Sequence, residues 1–144
     1  MKKYMKRLLT QTGKDSSELF KETKQILAKE LYSFKDIDSK VEIPKKAGVY
    51  IIFEKYKVAY VGLTHAEKGL YRRIYEEHYR GQSSFGKKLN LNKEKKKKIL
   101  DAGFSYIYKE IRNRKKREIL EHYMTSVLNP KYGFARDKNK KIKN

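Results

Sequence analysis

The sequence predicts an α/β fold: a small three-stranded sheet, antiparallel or mixed, flanked by helices, with an added helix on the N-terminal side. Two kinds of segment indicate it. Some alternate apolar and polar residues, as strands do, and others repeat apolar residues every three or four positions, as helices do. Because these segments are interspersed, they predict one layered unit. The 144 residues are enough for a single domain with a modest core.

The first predicted element is a helix from Asp15 to Phe34. Asp15 and Glu18 have the spacing of a capping box, in which two side chains bond the free N–H groups of the first turn. We interpret residues 1–46 as this helical extension and a connector. The apolar stripe of the helix advances by three and four residues through Leu19, Phe20, Thr23, Ile26, Leu27, Glu30 and Leu31.

A β-hairpin is predicted after the connector. Its strands run from Val49 to Phe53 and from Val58 to Leu63, and the chain reverses at Lys55 to Lys57. No Asn-Gly pair is present, so the type of turn stays open. Tyr50 lies in the first strand and Tyr60 in the second, and these tyrosines are the first candidates for chemistry.

The remaining predicted elements are two helices, a third strand and a last helix. The two helices run from Leu70 to about Arg80 and from Lys87 to Asp101. The strand runs from Phe104 to Ile111, where aromatic and polar residues alternate. The last helix opens between Arg112 and Arg117 and ends at Asn129-Pro130, because proline disfavours helix at the residue before it.

The net charge indicates a polyanionic partner. The chain has 37 Lys and Arg against 17 Asp and Glu, a formal net charge of +20. This is far beyond what solubility requires and suits a phosphate backbone. DNA is the leading partner and RNA the alternative. An anionic membrane surface and a lysine-rich composition without a function are weaker interpretations.

The composition also excludes several classes of protein. There is no cysteine, so disulfides and thiolate metal sites are excluded, and a cytoplasmic protein is the simplest interpretation. No apolar run is long enough to cross a bilayer, and the first ten residues lack the features of a signal peptide, so we expect no membrane partner. We expect residues 47–136 to form the domain and residues 137–144 to form a disordered basic tail.

Few residues remain that could carry catalysis. The three histidines form no metal-binding cluster in the sequence, and the motifs of nucleotide hydrolases and zinc proteases are missing. What remains is the pair of hairpin tyrosines, Arg72 and Arg73 on the following helix, and glutamates on the last helix. Lys131 is a candidate nucleic-acid contact. A lysine block, which fits a solvated surface equally well, adds Lys95, Lys96, Lys97 and Lys98.

The hairpin carries two motifs that resemble those of the GIY-YIG nuclease family. Gly48-Val49-Tyr50 is similar to the first signature triplet and Tyr60-Val61-Gly62 to the second, with nine residues between the two tyrosines. Gly48 and Gly62 would then be structural, because glycine lets backbone segments pass closely. The alternative is that both tyrosines are ordinary strand aromatics.

Two later segments extend the resemblance, which covers Ala47 to about Gly133. Leu70 to Ile74 resembles the family's helix and matches Arg73 to its arginine, with Arg72 as the fallback. Glu121 follows a leucine and precedes Pro130 by nine residues, which is similar to the family's metal-ligand segment. The four segments occur in the family's order.

The resemblance implies a nuclease that hydrolyses DNA phosphodiester bonds with one divalent ion. Glu121 would bind Mg²⁺ or Mn²⁺, and Arg73 would hold the scissile phosphate with its planar fork of donors. Tyr50 or Tyr60 would act as the general base or orient the water. Because phenols ionise near pH 10, such a base needs a nearby cation or metal.

The chain departs from the family at two positions near the expected site, and its loop from His65 to Gly69 is longer than in compact members. The family commonly has a histidine or tyrosine four residues after the arginine, and this chain has Glu77 there. His78 follows one position later, rotated by about 100° in an α-helix, and is retained as a candidate catalytic residue. Gly133 replaces the family's asparagine.

A metal-dependent endonuclease is therefore the function that the sequence predicts. A non-catalytic nucleic-acid-binding module of the same fold is the alternative, and a basic RNA-binding protein is a third interpretation. Two single residues also have a structural interpretation. Arg73 with Glu77, and Glu121 with Arg117, have the spacing of helical salt bridges, which stabilise little at a surface.

Overall fold

The structure, a computed structural model, describes residues 16–34, 43–65, 69–79 and 103–132, apart from the side chains of residues 76–79. Within these segments no helix is long and apolar enough to span a membrane. The predicted basic helix from Lys87 to Asp101 and the tail at residues 137–144 lie outside them. In chain order the elements are helix α1 (Ser16–Leu27), strands β1 (Tyr32–Ser33), β2 (Gly48–Glu54) and β3 (Lys57–Leu63), a π-helix (Tyr71–Tyr79), strand β4 (Phe104–Glu110) and helix α2 (Arg114–Leu128).

The strands form one antiparallel sheet in the order β1-β4-β2-β3. The prediction of an α/β fold with a small antiparallel sheet and flanking helices is confirmed, but the count of three strands is wrong, because β1 adds a fourth at the edge. The sequence pattern extends the predicted N-terminal helix to Phe34 and so includes the residues of β1. In the structure this helix ends at Leu27. The ring of Tyr32 lies 5.6 Å from that of Tyr106 and 5.7 Å from that of Tyr108. These cross-strand aromatic contacts override the helical pattern.

The sheet buries a different set of residues on each face. One face, called the helical face below, packs against α1 and α2. The other, the tyrosine face, packs against Leu70 and Ile74. On the helical face the strand residues are Val49, Ile51, Phe53, Val61 and Ile107. On the tyrosine face they are Tyr50, Ile52, Ala59, Tyr60, Phe104 and Tyr106.

Strands β2 and β3 are joined by a two-residue turn, Lys55 and Tyr56. Both residues have positive φ, 48° and 69°, as a type I′ turn requires at its two central positions. Glycine and asparagine usually fill those positions because other side chains are strained there. The sequence predicts the place of the reversal but not the turn type, since the usual residues are missing.

Helix α2 is capped at both ends by asparagine. The side chain of Asn113 accepts a hydrogen bond from the backbone N–H of Lys116 at 3.0 Å, which satisfies one free donor of the first turn. Asn129 ends the helix in the left-handed conformation, with φ of 48°. The predicted end at Asn129-Pro130 is therefore confirmed.

The chain after α2 returns to the sheet. The backbone N–H of Lys131 donates to the carbonyl of Val58 at 3.1 Å, and that of Tyr132 donates to the carbonyl of Ala59 at 2.8 Å. These bonds occupy the outer edge of β3, which would otherwise be open for pairing. Tyr132 packs against the buried cluster on the tyrosine face.

Candidate active site

Tyr50 lies in the interior strand β2 and is completely buried, with 0% of its surface exposed. In the register of the sheet it is opposite Gly62 on β3 and Tyr108 on β4. A Cβ atom at position 62 would collide with the hydroxyl group and the ring of Tyr50. Glycine at this position therefore makes room for the side chain of Tyr50.

Tyr60 reaches the same face as Tyr50 because β3 contains a β-bulge. The register shifts between Ile52 and Phe53, which leaves Ala59 as an extra residue. Without the bulge, the register that starts at the turn would pair Tyr60 with Ile51, whose side chain lies on the helical face. The extra residue turns the side chain of Tyr60 to the tyrosine face. Tyr60 is 7% exposed.

Arg73 contacts both tyrosines. Its Nε donates a hydrogen bond to the hydroxyl oxygen of Tyr50 at 3.1 Å, and a terminal nitrogen donates to the hydroxyl oxygen of Tyr60 at 3.4 Å. The two rings stack with centroids 6.1 Å apart. Arg73 is half-buried, whereas Arg72 is exposed. The structure thus brings three of the predicted catalytic residues into one cluster, with Arg73 rather than Arg72 as its cation.

The segment before β2 fixes the start of the helix that carries Arg73. The backbone N–H of Leu70 donates to the carbonyl of Lys46 at 2.9 Å, and that of Tyr71 donates to the carbonyl of Pro44 at 3.0 Å. These are donors of the first turn, which have no partner within a helix. The bonds hold the helix against the tyrosine face.

Gly48 and Thr64 join the ends of the two hairpin strands. A Cβ atom at position 48 would collide with the backbone carbonyl of Lys109 on β4. The Oγ1 of the buried Thr64 accepts a hydrogen bond from the N–H of Gly48 at 2.9 Å. Thr64 belongs to none of the sequence motifs. Its signal is a small hydroxyl residue directly after a strand, where it can bond backbone.

The helix that carries Arg73 is a π-helix, which corrects the predicted register of His78. In an α-helix, position 77 follows position 73 by one turn and His78 is rotated away. In a π-helix the hydrogen bonds close on the fifth residue and each residue turns the backbone by less, so position 78 lies nearer to the face of position 73 than it would in an α-helix. The side chain of His78 is outside the described part of the chain.

Glu121, the predicted metal ligand, lies on α2 with 16% of its side chain exposed. The hydroxyl group of Thr125 lies 2.7 Å from the backbone carbonyl oxygen of Glu121 and 3.1 Å from Oε1 of Glu121, so the single hydroxyl proton is shared between these two acceptors. Oε2 of Glu121 lies 3.9 Å from Nδ1 of His122. The carboxylate is therefore partly withdrawn from water and oriented by its own helix.

Arg117 does not form the alternative salt bridge with Glu121. Its guanidinium donates to the carbonyl oxygens of Ile111 and Arg112, at 3.0 and 2.7 Å. Burial lowers the pKa of Arg117, and the nearby Arg114 lowers it further. Arg117 thus fixes the connection from β4 to α2.

Lys131, a predicted nucleic-acid contact, is paired with a carboxylate. Its Nζ lies 3.2 Å from Oε2 of Glu54, which also accepts a hydrogen bond from the hydroxyl group of Tyr132 at 3.3 Å. The hydrogen bond with Glu54, followed by that with Tyr132, raises the pKa of Lys131. The other predicted lysine contacts are outside the described residues: Lys95, Lys96, Lys97 and Lys98.

The residues of the site suit a hard divalent cation. Within the described segments no group of three or more His, Cys, Asp or Glu side chains could hold a metal ion. A single partly buried carboxylate nevertheless fits Mg²⁺ or Mn²⁺, because such ions are often held by one or two carboxylates, with water and substrate phosphate as the other ligands. Glu121 is a partly buried carboxylate of this kind, and its role as a metal ligand stays a prediction. Zinc, which prefers nitrogen and sulfur ligands, fits less well.

Comparison with solved structures gives two that are similar to this chain. Both are crystal structures of the GIY-YIG N-terminal endonuclease domain of UvrC from Thermotoga maritima, one bound to magnesium as its catalytic divalent cation and one a point mutant bound to its catalytic divalent cation. Each is 26% identical to this chain with a TM-score of 0.45, over 68% of this chain and 94% and 93% of the other chains. The family named for both is the one that the sequence motifs resemble. No family model and no curated protein matches.

Proposed function

We propose that this protein is a metal-dependent endonuclease that hydrolyses DNA phosphodiester bonds. The observation that carries the proposal is the Arg73 guanidinium bonded to the hydroxyl groups of Tyr50 and Tyr60. Three separate elements supply these side chains. Apolar side chains would fill the same volume with a smaller desolvation penalty, so the polar cluster favours a chemical role.

Arg73 would bind the scissile phosphate. Its guanidinium is planar and always charged, and its N–H donors match the spacing of phosphate oxygens. The phenol oxygens of Tyr50 and Tyr60 fix the orientation of this fork before substrate arrives. Preorganised donors of this kind stabilise the charge that develops in the transition state.

The tyrosines would orient the attacking water or exchange a proton with it. Each phenol oxygen accepts a hydrogen bond from Arg73, so the proton of each phenol is directed elsewhere. Tyr60 is 7% exposed and Tyr50 is 0% exposed. Tyr60 is therefore the better candidate for the contact with water, and Tyr50 for holding Arg73.

Glu121 would hold one Mg²⁺ or Mn²⁺ ion, which neutralises charge on the phosphate oxygens. Glu121 lies on α2, which packs mainly on β3, the strand that carries Tyr60.

DNA is the proposed substrate because the chain carries a formal net charge of +20, and phosphate contacts dominate nucleic-acid affinity. Arg72 is exposed beside Arg73 and would contact a neighbouring phosphate. RNA is the alternative polyanion. A non-catalytic DNA-binding module is the second candidate function. It is favoured by Gly133, which replaces the family's asparagine.

The test is cleavage of supercoiled plasmid in Mg²⁺ or Mn²⁺, compared with EDTA. The parent protein is expected to nick or linearise the plasmid, and Arg73→Ala and Glu121→Ala are expected to abolish this. Val127→Ala is the matched control, because Val127 is on the same helix as Glu121 and is 52% exposed. Salt-sensitive binding without cleavage in either metal would favour the binding module. Parental activity in Glu121→Ala would remove Glu121 as the metal ligand.

A further inference from the structure

The tip of the β2–β3 hairpin, residues Lys55, Tyr56 and Lys57, presents three exposed side chains. Tyr56 is 87% exposed, more than any other large hydrophobic residue in the described segments. An aromatic ring that buries so little surface adds almost nothing to the stability of the fold. The core therefore gives no reason for a tyrosine at this position.

The backbone at the tip gives no reason either. Lys55 and Tyr56 have φ of 48° and 69°, in the left-handed region where a Cβ atom is disfavoured. Asn-Gly would close the same turn with less strain. The turn requires positive φ but neither the turn nor the core requires a tyrosine, so a strained and exposed ring at this position points to a use outside the fold.

The tip is held in place from two sides. The N–H of Lys55 donates to the carbonyl of Gly103 at 3.3 Å. Glu54 directly precedes Lys55, and its carboxylate accepts hydrogen bonds from Lys131 and Tyr132. These bonds join the hairpin to β4 and to the segment after α2. A side chain on such a base is preorganised for contact with a partner.

The tip lies within reach of a substrate bound at the candidate active site. Tyr56 precedes Tyr60 by four residues, about 13 Å of extended strand and somewhat less across the bulge. Phosphates of one DNA strand repeat about every 3.4 Å along the helix axis. A DNA strand with one phosphate at Arg73 that ran along β3 would pass the tip about three to four nucleotides away.

We infer that Tyr56 stacks on an unpaired base of the substrate, with Lys55 and Lys57 beside the backbone of that strand. This rests on the proposed nuclease function. An exposed aromatic ring between cations is the combination that binds unpaired nucleotides, since every base has a stacking face. Bases inside an intact duplex are already stacked. The tip thus favours DNA that is mismatched, bulged or single-stranded near the cut.

The test is binding, in EDTA, of a labelled duplex that contains one unpaired base, compared with the same duplex fully paired. Tyr56→Asn removes the ring and suits the turn, and it is expected to weaken binding of the first duplex about five- to hundredfold. Its Tm should stay the same or rise. Tyr56→Phe keeps the ring and should bind like the parent. Phe20→Ala is the control, because Phe20 is an exposed aromatic on α1, which packs on the helical face.

Each outcome separates the tip from the active site. If Tyr56→Asn binds both duplexes like the parent, the inference is wrong, and plasmid cleavage by the parent would still support the nuclease. If binding depends on Tyr56 but no metal supports cleavage, the nuclease proposal is wrong and the base contact stands. Failure of the parent to bind either duplex would also overturn the inference.

Discussion

Single residues around the candidate site are constrained by close packing as much as by chemistry. Gly62 is opposite Tyr50, and any Cβ there would displace the tyrosine ring. Gly48 meets the carbonyl of Lys109 in the same way. The two glycine-and-tyrosine triplets are thus explained physically: glycine lets adjacent strands approach closely enough for a buried phenol to reach Arg73.

Arg73→Lys should lower the cleavage rate about 10²-fold or more, the usual effect of losing one preorganised donor in a polar site. Lysine keeps the charge but cannot bond two phenol oxygens and a phosphate with one planar group. Single-turnover cleavage of a short duplex measures the effect. Arg72→Lys, one position away on the exposed side, should stay within about threefold of the parent. Equal losses in the two variants would contradict the assignment of Arg73.

Gly62→Ala should destabilise the protein by about 1–3 kcal/mol through overpacking and should also abolish cleavage, because Tyr50 must move. Gly103→Ala is the matched control. Gly103 has φ of 82°, but a Cβ there would meet only the side chain of Lys55 at 3.7 Å, so we expect about 1–2 kcal/mol of backbone strain and normal activity. Thermal unfolding and plasmid cleavage distinguish the two. Full activity in Gly62→Ala would show that Tyr50 need not hold its position.

At the scale of whole elements, the sequence predicts those whose signals are local. The hairpin, the third long strand and α2 follow from alternation, helical periodicity and the Asn129-Pro130 stop. Strand β1 does not, because two residues pair only through contacts with β4. The sequence does not reveal the bulge at Ala59 either. The bulge depends on how the turn and the burial of Tyr50 and Tyr60 set the register between β2 and β3.

For the candidate site, too, the sequence predicts the parts that depend on local signals. Tyr50, Tyr60 and Arg73 form the cluster that the motifs suggested, because the hairpin and the helix start are local features. The pairing of Lys131 with Glu54 joins residues far apart in sequence, so no local pattern reveals it. The sequence does not reveal the π-helix either, because periodicity alone does not distinguish hydrogen bonds to the fourth residue from hydrogen bonds to the fifth.

The π-helix makes a prediction about His78 and Glu77. Because the π-helix brings position 78 nearer to the face of Arg73 than an α-helix would, His78→Ala should lower the rate at saturating DNA by about 10²-fold or more, the usual effect of losing an acid–base group. Glu77→Ala should leave that rate within about threefold of the parent, because the family resemblance gives this role to a histidine or tyrosine and not to a carboxylate. Saturating DNA removes the effect of the lost negative charge on binding. A larger loss in Glu77→Ala than in His78→Ala would contradict the assignment of His78.

At the scale of the whole molecule, the two faces of the sheet carry different kinds of side chain. Its helical face packs apolar side chains of α1 and α2, and its tyrosine face carries the polar cluster with Arg73. The net charge of +20 acts over the entire surface and attracts polyanions before any specific contact forms. Affinity and rate should therefore respond to different residues.

The salt dependence of DNA binding should show which basic residues contact phosphate. For B-DNA the logarithm of the binding constant falls with the logarithm of salt concentration by about 0.9 per phosphate contacted. Arg72→Gln should make this slope shallower by about that amount, because Arg72 is exposed. Lys131→Gln should change it less, because Glu54 already offsets the charge of Lys131 at 3.2 Å. Binding measured from 50 to 200 mM salt tests both, and equal changes would mean that Lys131 leaves Glu54 to bind phosphate.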